Sequence, residues 1–121
     1  MPHIHLEYSD NLQDIIETKP LMLAIHQALF KTGHIKTPND LKSRAIMQQD
    51  YVVGLSTLQD QAYVHAKVSL LSGRSVEVRQ EIAGLVLEVM QQHVSPQPEL
   101  NIQLCVEILE MQKQIYSKVI I

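Results

Sequence analysis

Much of what defines other protein classes is missing from this chain. It has one cysteine, Cys105, so no internal disulfide can form and nothing demands an oxidising compartment. Basic residues are not in excess: the net charge is −3 and scattered, which leaves no electrostatic footprint for nucleic acid and no polybasic segment for an anionic membrane. No apolar run approaches the length of a membrane span. The opening Met-Pro-His-Ile-His-Leu-Glu lacks the basic, apolar and small-residue regions of a signal peptide, so a soluble, cytoplasmic protein is expected. With only four glycines and five prolines there is no linker-like or low-complexity stretch. What remains is a globular composition, 45% hydrophobic and 19% charged, in a length suited to one domain over residues 1–121.

The pattern along the chain is one plan used twice, with pseudo-repeats over 1–60 and 61–121. In His3 to Tyr8, apolar Ile4 and Leu6 alternate with His3, His5 and Glu7, the period of a strand. Ser9-Asp10-Asn11 is a turn cluster. A helix is expected from Thr18, with Pro20 in its first turn, where a missing N–H costs little. Leu21, Ala24, Ile25, Ala28 and Leu29 form its apolar stripe, and Gly33 its stop. After the Thr37–Asp40 loop, Leu41 to Met47 reads as a second strand. The order then repeats. Gln61 to Leu71 is a strand, Ser72-Gly73-Arg74 a tight turn, and Ser75 the cap of a helix striped by Ile82, Leu85, Val86, Val89 and Met90. Ser95 to Pro98 ends that helix, and Leu100 to Leu109 is the last strand, with Ile102, Leu104, Val106 and Ile108 on one face.

The expected fold is therefore α/β (α+β): tandem right-handed β-α-β units, a four-stranded sheet, and both helices on one sheet face. The other face would be bare. It is expected to be apolar enough to need cover, which predicts an oligomer. The apolar tail, ending Val119-Ile120-Ile121, is odd for a monomer and offers a segment that could pair with a neighbouring subunit. Cys105 is expected as a small buried hydrophobe. Met22, Met47, Met90 and Met111 read as core filler, and His26, His34 and His93 as surface.

The opening Pro2-His3-x-x-x-Glu7-x-Ser9-x-Asn11 resembles the start of 5-carboxymethyl-2-hydroxymuconate isomerases, members of the tautomerase superfamily. Tyr63-Val64-His65 and Gly73-Arg74-Ser75-x-Glu77-x-Arg79-Gln80 are similar to the second half of that family, and Ser43-Arg44 to its second strand. The resemblance spans nearly the whole chain. It implies sheets packed together in a homotrimer, an unsaturated enol or keto acid with two or three carboxylates (5-carboxymethyl-2-hydroxymuconate is the example) as substrate, no cofactor, and Pro2 as the catalytic group. The chain departs from the family pattern after Arg44, where Ala45-Ile46-Met47-Gln48-Gln49-Asp50 replaces an aromatic-rich stretch, and at Lys42, where an arginine is familiar.

The chemistry fits that implication. Loss of Met1 would expose the secondary amine of Pro2. Backbone α-amino groups titrate at roughly 7.7 to 8.0, and an apolar or cationic setting lowers this further toward a working base. With Met1 attached, the Pro2 nitrogen is an amide and no base. The resemblance implies that Pro2 takes a proton from a dienol and returns one at another carbon, as in the catabolism of aromatic compounds. Arg74 and Arg44 are the candidate substrate-binding cations, because a guanidinium grips a carboxylate with two parallel hydrogen bonds. Arg74 also lies at the positive end of the second helix. Lys42 shares a strand face with Arg44 and is a third candidate. The alternative for each is an ordinary solvated cation paired with a glutamate.

His3, His5 and Glu7, with His65, share a spacing that can chelate a metal, but paired histidines within a sheet or at a subunit contact fit better, and no metal is expected. Two other functions stay open: a tautomerase-fold enzyme acting on a different enol acid, as a decarboxylase or dehalogenase would, and a binding protein of the same fold without turnover.

Overall fold

A computed structural model describes residues 1–121. The strands are β1 (His3–Ser9), β2 (Lys42–Gln48), β3 (Gln61–Leu71) and β4 (Asn101–Met111); the helices are α1 (Thr18–Lys31) and α2 (Val76–His93). The order β1-α1-β2, β3-α2-β4 follows the expected duplication, with boundaries moved by one or two residues. The sheet runs β2-β1-β3-β4. Each crossover joins parallel neighbours, and the two units meet antiparallel through β1 and β3.

Alternation builds the core. Ile4 and Leu6 of β1, and Ala62, Val64, Ala66, Val68 and Leu70 of β3, are fully buried on the helix-covered face. Leu21, Ile25 and Leu29 of α1 and Ile82, Val86, Val89 and Met90 of α2 close over them. Ile102, Leu104, Val106 and Ile108 of β4 pack against the same cluster. Pro20 occupies the first turn of α1 as expected. Ser75 caps α2 by accepting a hydrogen bond from the Val78 N–H at 3.2 Å. Gly33 follows α1 at φ +81°, the left-handed stop.

Four expectations are corrected. The uncovered face is mainly polar, not apolar: the strand parity that sends the apolar set to the helices sends His3, His5, Glu7, Arg44, Lys67 and Glu107 the other way, with Ile46 and Leu109 as exposed apolar exceptions. Cys105 belongs to that open set and is exposed, because its neighbours Leu104 and Val106 have taken the core side. His26 is half-buried and shares a 2.5 Å hydrogen bond with Ser43 Oγ, tying α1 to β2. Of the four methionines, Met90 lies in the core and Met22 packs on it, while Met47 and Met111 lie outside that cluster. The C-terminal segment returns to its own subunit, where the His3 ring N–H donates to Tyr116 Oη at 2.9 Å and Lys118 Nζ to Asp40 at 3.0 Å. Ile115 and the last three residues, Val119 to Ile121, stand exposed.

Candidate functional site

The chain start and the β3–α2 turn meet at one end of the sheet. Pro2 is buried immediately before β1, and its carbonyl accepts from the Lys42 N–H at 3.2 Å, which sets the β1–β2 register. Met1 precedes it at the mouth of a cleft of about 490 Å³. Arg74, Gly73, Lys113, His34, Lys36 and Asp40 line the cleft with it. Burial lowers the affinity of the Met1 amine for its proton, and the Arg74 charge lowers it further.

Arg74 is half-buried and reaches only carbonyls: Nη1 donates to Leu71 O and Nη2 to His34 O, each at 3.3 Å. These bonds fix the guanidinium without cancelling its charge. The single acid of the cleft, Asp40, is already paired with Lys118 at 3.0 Å, which holds its carboxyl below the usual range. The cleft therefore presents surplus positive charge beside the chain start.

Lys42 lies next to Pro2 on the β2 strand, and its charge also acts on the Met1 amine. Arg44 is not in the cleft. It sits on the open sheet face, where Nη2 donates to His3 Nδ1 at 3.1 Å and to His5 Nε2. His3 is thereby the tautomer that carries its proton on Nε2, the donor to Tyr116. Burial first, and then Arg44, pushes both histidines below their ordinary 6.5. Glu7 accepts from Lys67 at 3.3 Å, and His65 donates to Glu107 at 2.8 Å. The side chains weighed as metal ligands are thus engaged with other partners, and no group of three ligating side chains converges.

Ser9 and Asn11, part of the opening motif, have a structural task. Buried Ser9 Oγ donates to Asn11 Oδ1 at 2.7 Å and accepts from the Tyr63 N–H, while Asn11 Nδ2 donates to Gln61 O at 2.8 Å. Together they clamp the end of β1 to the start of β3. Lys113 and Lys36 have no signal in the sequence, and His34 reads there as a surface residue. They carry no local motif and reach the cleft only through the long-range meeting of three loops. A larger groove of about 720 Å³ runs between α1 and α2, but it includes neither Pro2 nor Arg74.

The family model for 5-carboxymethyl-2-hydroxymuconate isomerase matches residues 2–119. Comparison with curated proteins gives no match. Among solved structures, a 5-carboxymethyl-2-hydroxymuconate isomerase from Deinococcus radiodurans R1 is similar at 26% identity and TM-score 0.88, over 98% of this chain and 88% of that one. A 5-carboxymethyl-2-hydroxymuconate delta-isomerase follows at 15% identity and TM-score 0.78, over 99% and 88%. A fused 4-OT described as a symmetric trimer has 11% identity and TM-score 0.63, over 89% and 85%. The fold is the tautomerase type, and no helix is long and apolar enough to cross a membrane.

Proposed function

Because the chain belongs to the 5-carboxymethyl-2-hydroxymuconate isomerase family, we propose that it moves a proton between carbons of an unsaturated enol acid, with the Pro2 amine as the acid/base. The observation that carries the reading is the lodging of the chain start in a cationic cleft beside Arg74. Removal of Met1 would open the Pro2 nitrogen to that cleft. Partial burial and nearby positive charge both favour the neutral amine, which is the form that accepts a proton. In the proposed step the amine takes the enol proton, the electron pair moves along the conjugated chain, and the ammonium returns a proton at a remote carbon. Nothing is gained or lost overall, so no cofactor is required.

Arg74 would hold a substrate carboxylate, since its bonds to two carbonyls leave its charge unspent. Lys42 would add positive charge beside Pro2. Arg44, facing the open side of the sheet, would reach substrate only across a subunit boundary. A homotrimer belongs to the same reading, and the symmetric trimer known for a protein of this fold supports it. A place in the cytoplasmic breakdown of aromatic compounds, where multiply carboxylated dienols arise, is part of the same proposal.

The test is the ultraviolet loss of a 2-hydroxymuconate-type dienol, using protein whose intact mass shows Met1 removed. Conversion above the solvent rate is expected, falling about 10²- to 10⁴-fold in Pro2→Ala, the range a positioned acid/base contributes. A Pro2→Ala variant as fast as the parent, or no acceleration by the processed protein, refutes the assignment.

A further inference from the structure

The cleft holds two lysines that the resemblance does not explain, Lys36 and Lys113, and of these Lys113 is the one tied to the Arg74 turn. Lys113 lies in a single 3-10 turn, Lys113–Ile115, just beyond β4. Its backbone is tied to the turn that carries Arg74: Ser72 N–H donates to Met111 O at 2.8 Å, and Lys113 N–H to Ser72 Oγ at 3.4 Å. Its ammonium passes so near Gly73 that a Cβ built there would lie 3.2 Å from Nζ. Lys113 thus reaches the cleft across the residue preceding Arg74, and both line its wall.

Neither Lys113 nor Arg74 has a carboxylate partner, whereas the other acid and base near the cleft mouth, Asp40 and Lys118, satisfy each other. Two adjacent, uncompensated cations held by one hydrogen-bonded zipper match an anion with more than one negative group. They differ in kind. Arg74 is fixed by two carbonyls, while Lys113 is a flexible point charge able to follow a carboxylate.

We propose that Lys113 is a specificity-determining residue: it takes a second carboxylate of the substrate, and through it the cleft achieves the preference for multiply carboxylated acids that the family's substrate implies. The inference rests on the reading of this cleft as the substrate site, but its test needs no turnover. Calorimetric binding of muconate and of sorbate to the full chain compares two six-carbon dienes that differ by one terminal carboxylate.

The parent is expected to bind muconate more tightly. Lys113→Gln should lose about five- to tenfold on muconate, as for one partly solvated charge-assisted hydrogen bond, with no change on sorbate. Lys113→Arg should restore the preference, and unchanged sorbate binding reports an intact cleft. Equal losses on both acids, or no loss on muconate, overturn the proposal. If Lys113 sets the preference but no dienol is isomerised, the inference stands and the catalytic reading falls. If dienols are isomerised and Lys113→Gln keeps the parent's preference, the inference falls and the catalytic reading stands.

Discussion

Gly73→Ala separates backbone strain from the placement of the Lys113 charge. Gly73 has φ +116°, a region that side chains with a Cβ rarely enter, and Gly33 at φ +81° is its natural control. Nothing lies within 4 Å of a Cβ added at Gly33, whereas at Gly73 the added carbon meets Lys113 Nζ at 3.2 Å and Cε at 3.6 Å. The backbone term at Gly73 is roughly 1–3 kcal/mol. With an unfolding entropy of about 2.1 cal/mol/K per residue over 121 residues, Tm should fall by roughly 4–12 °C. The contact itself adds little, because the ammonium is the free end of a flexible chain and can swing away. That swing carries the charge out of position. Gly73→Ala is therefore expected to lose stability and also muconate binding, while Gly33→Ala loses stability alone. Thermal unfolding at one fixed protein concentration and calorimetry supply the two readouts. In Gly73→Ala with Lys113→Ala, the stability loss should persist, since strain and not the contact causes it. A Gly73→Ala protein at the parent Tm refutes the strain argument. Unchanged muconate binding refutes the coupling to Lys113.

Two further outcomes follow from the same geometry. Ser43→Ala removes the bond to half-buried His26 and should cost about 0.5–1.5 kcal/mol, read as a lower urea midpoint with an unchanged slope. His3 and His5 are held below 6.5 by burial and by the facing charge of Arg44, with Lys42 adding to the effect at His3, Lys67 at His5, and Glu7 opposing at His5. As pH falls below 6.5, the unfolded chain binds protons that the folded one still refuses, so stability declines through this window until the folded histidines titrate. Replacing both with glutamine should flatten the dependence of the urea midpoint on pH there, and an unchanged slope counts against the arrangement.

Sequence pattern is most reliable where one residue type answers to one local need. The alternation in β1, the stripes of both helices, the cap at Ser75 and the stop at Gly33 are of this kind, and their elements form within two residues of expectation. The open face was misjudged because the apolar content of whole strands was weighed instead of its parity. Once Ile102, Leu104, Val106 and Ile108 are assigned to the helices, Cys105 and Glu107 must face outward, so the sequence already held the answer. His26 needed one more step, since Ser43 shares the core-facing parity of Ala45 and so looks toward α1. The cleft is different. Arg74 was visible through its motif, but Lys113 lies 39 residues further on, outside any motif, and only the pairing of β3 with β4 brings it to the same wall.

The polar open face bears on the proposed trimer. An oily face would assemble by burial alone and in many registers. Here Arg44 bridges His3 and His5, Glu7 meets Lys67, and His65 meets Glu107 within one chain. Glu7 and Lys67 are paired before association and lose less on leaving water than unpaired ions, whereas Arg44, held by two neutral imidazoles, carries a charge that only a neighbouring subunit could compensate. The exposed apolar side chains of the face are few, Ile46 and Leu109 among them, so the exposed apolar tail at Val119–Ile121 is a second source of driving force. The acid response of His3 and His5 would follow, because protonating either removes an acceptor from Arg44 and sets like charges together. Truncation before Val119 should therefore weaken the oligomer at neutral pH, with light scattering as the readout. A truncated chain that keeps its parent mass assigns the driving force to the sheet face itself.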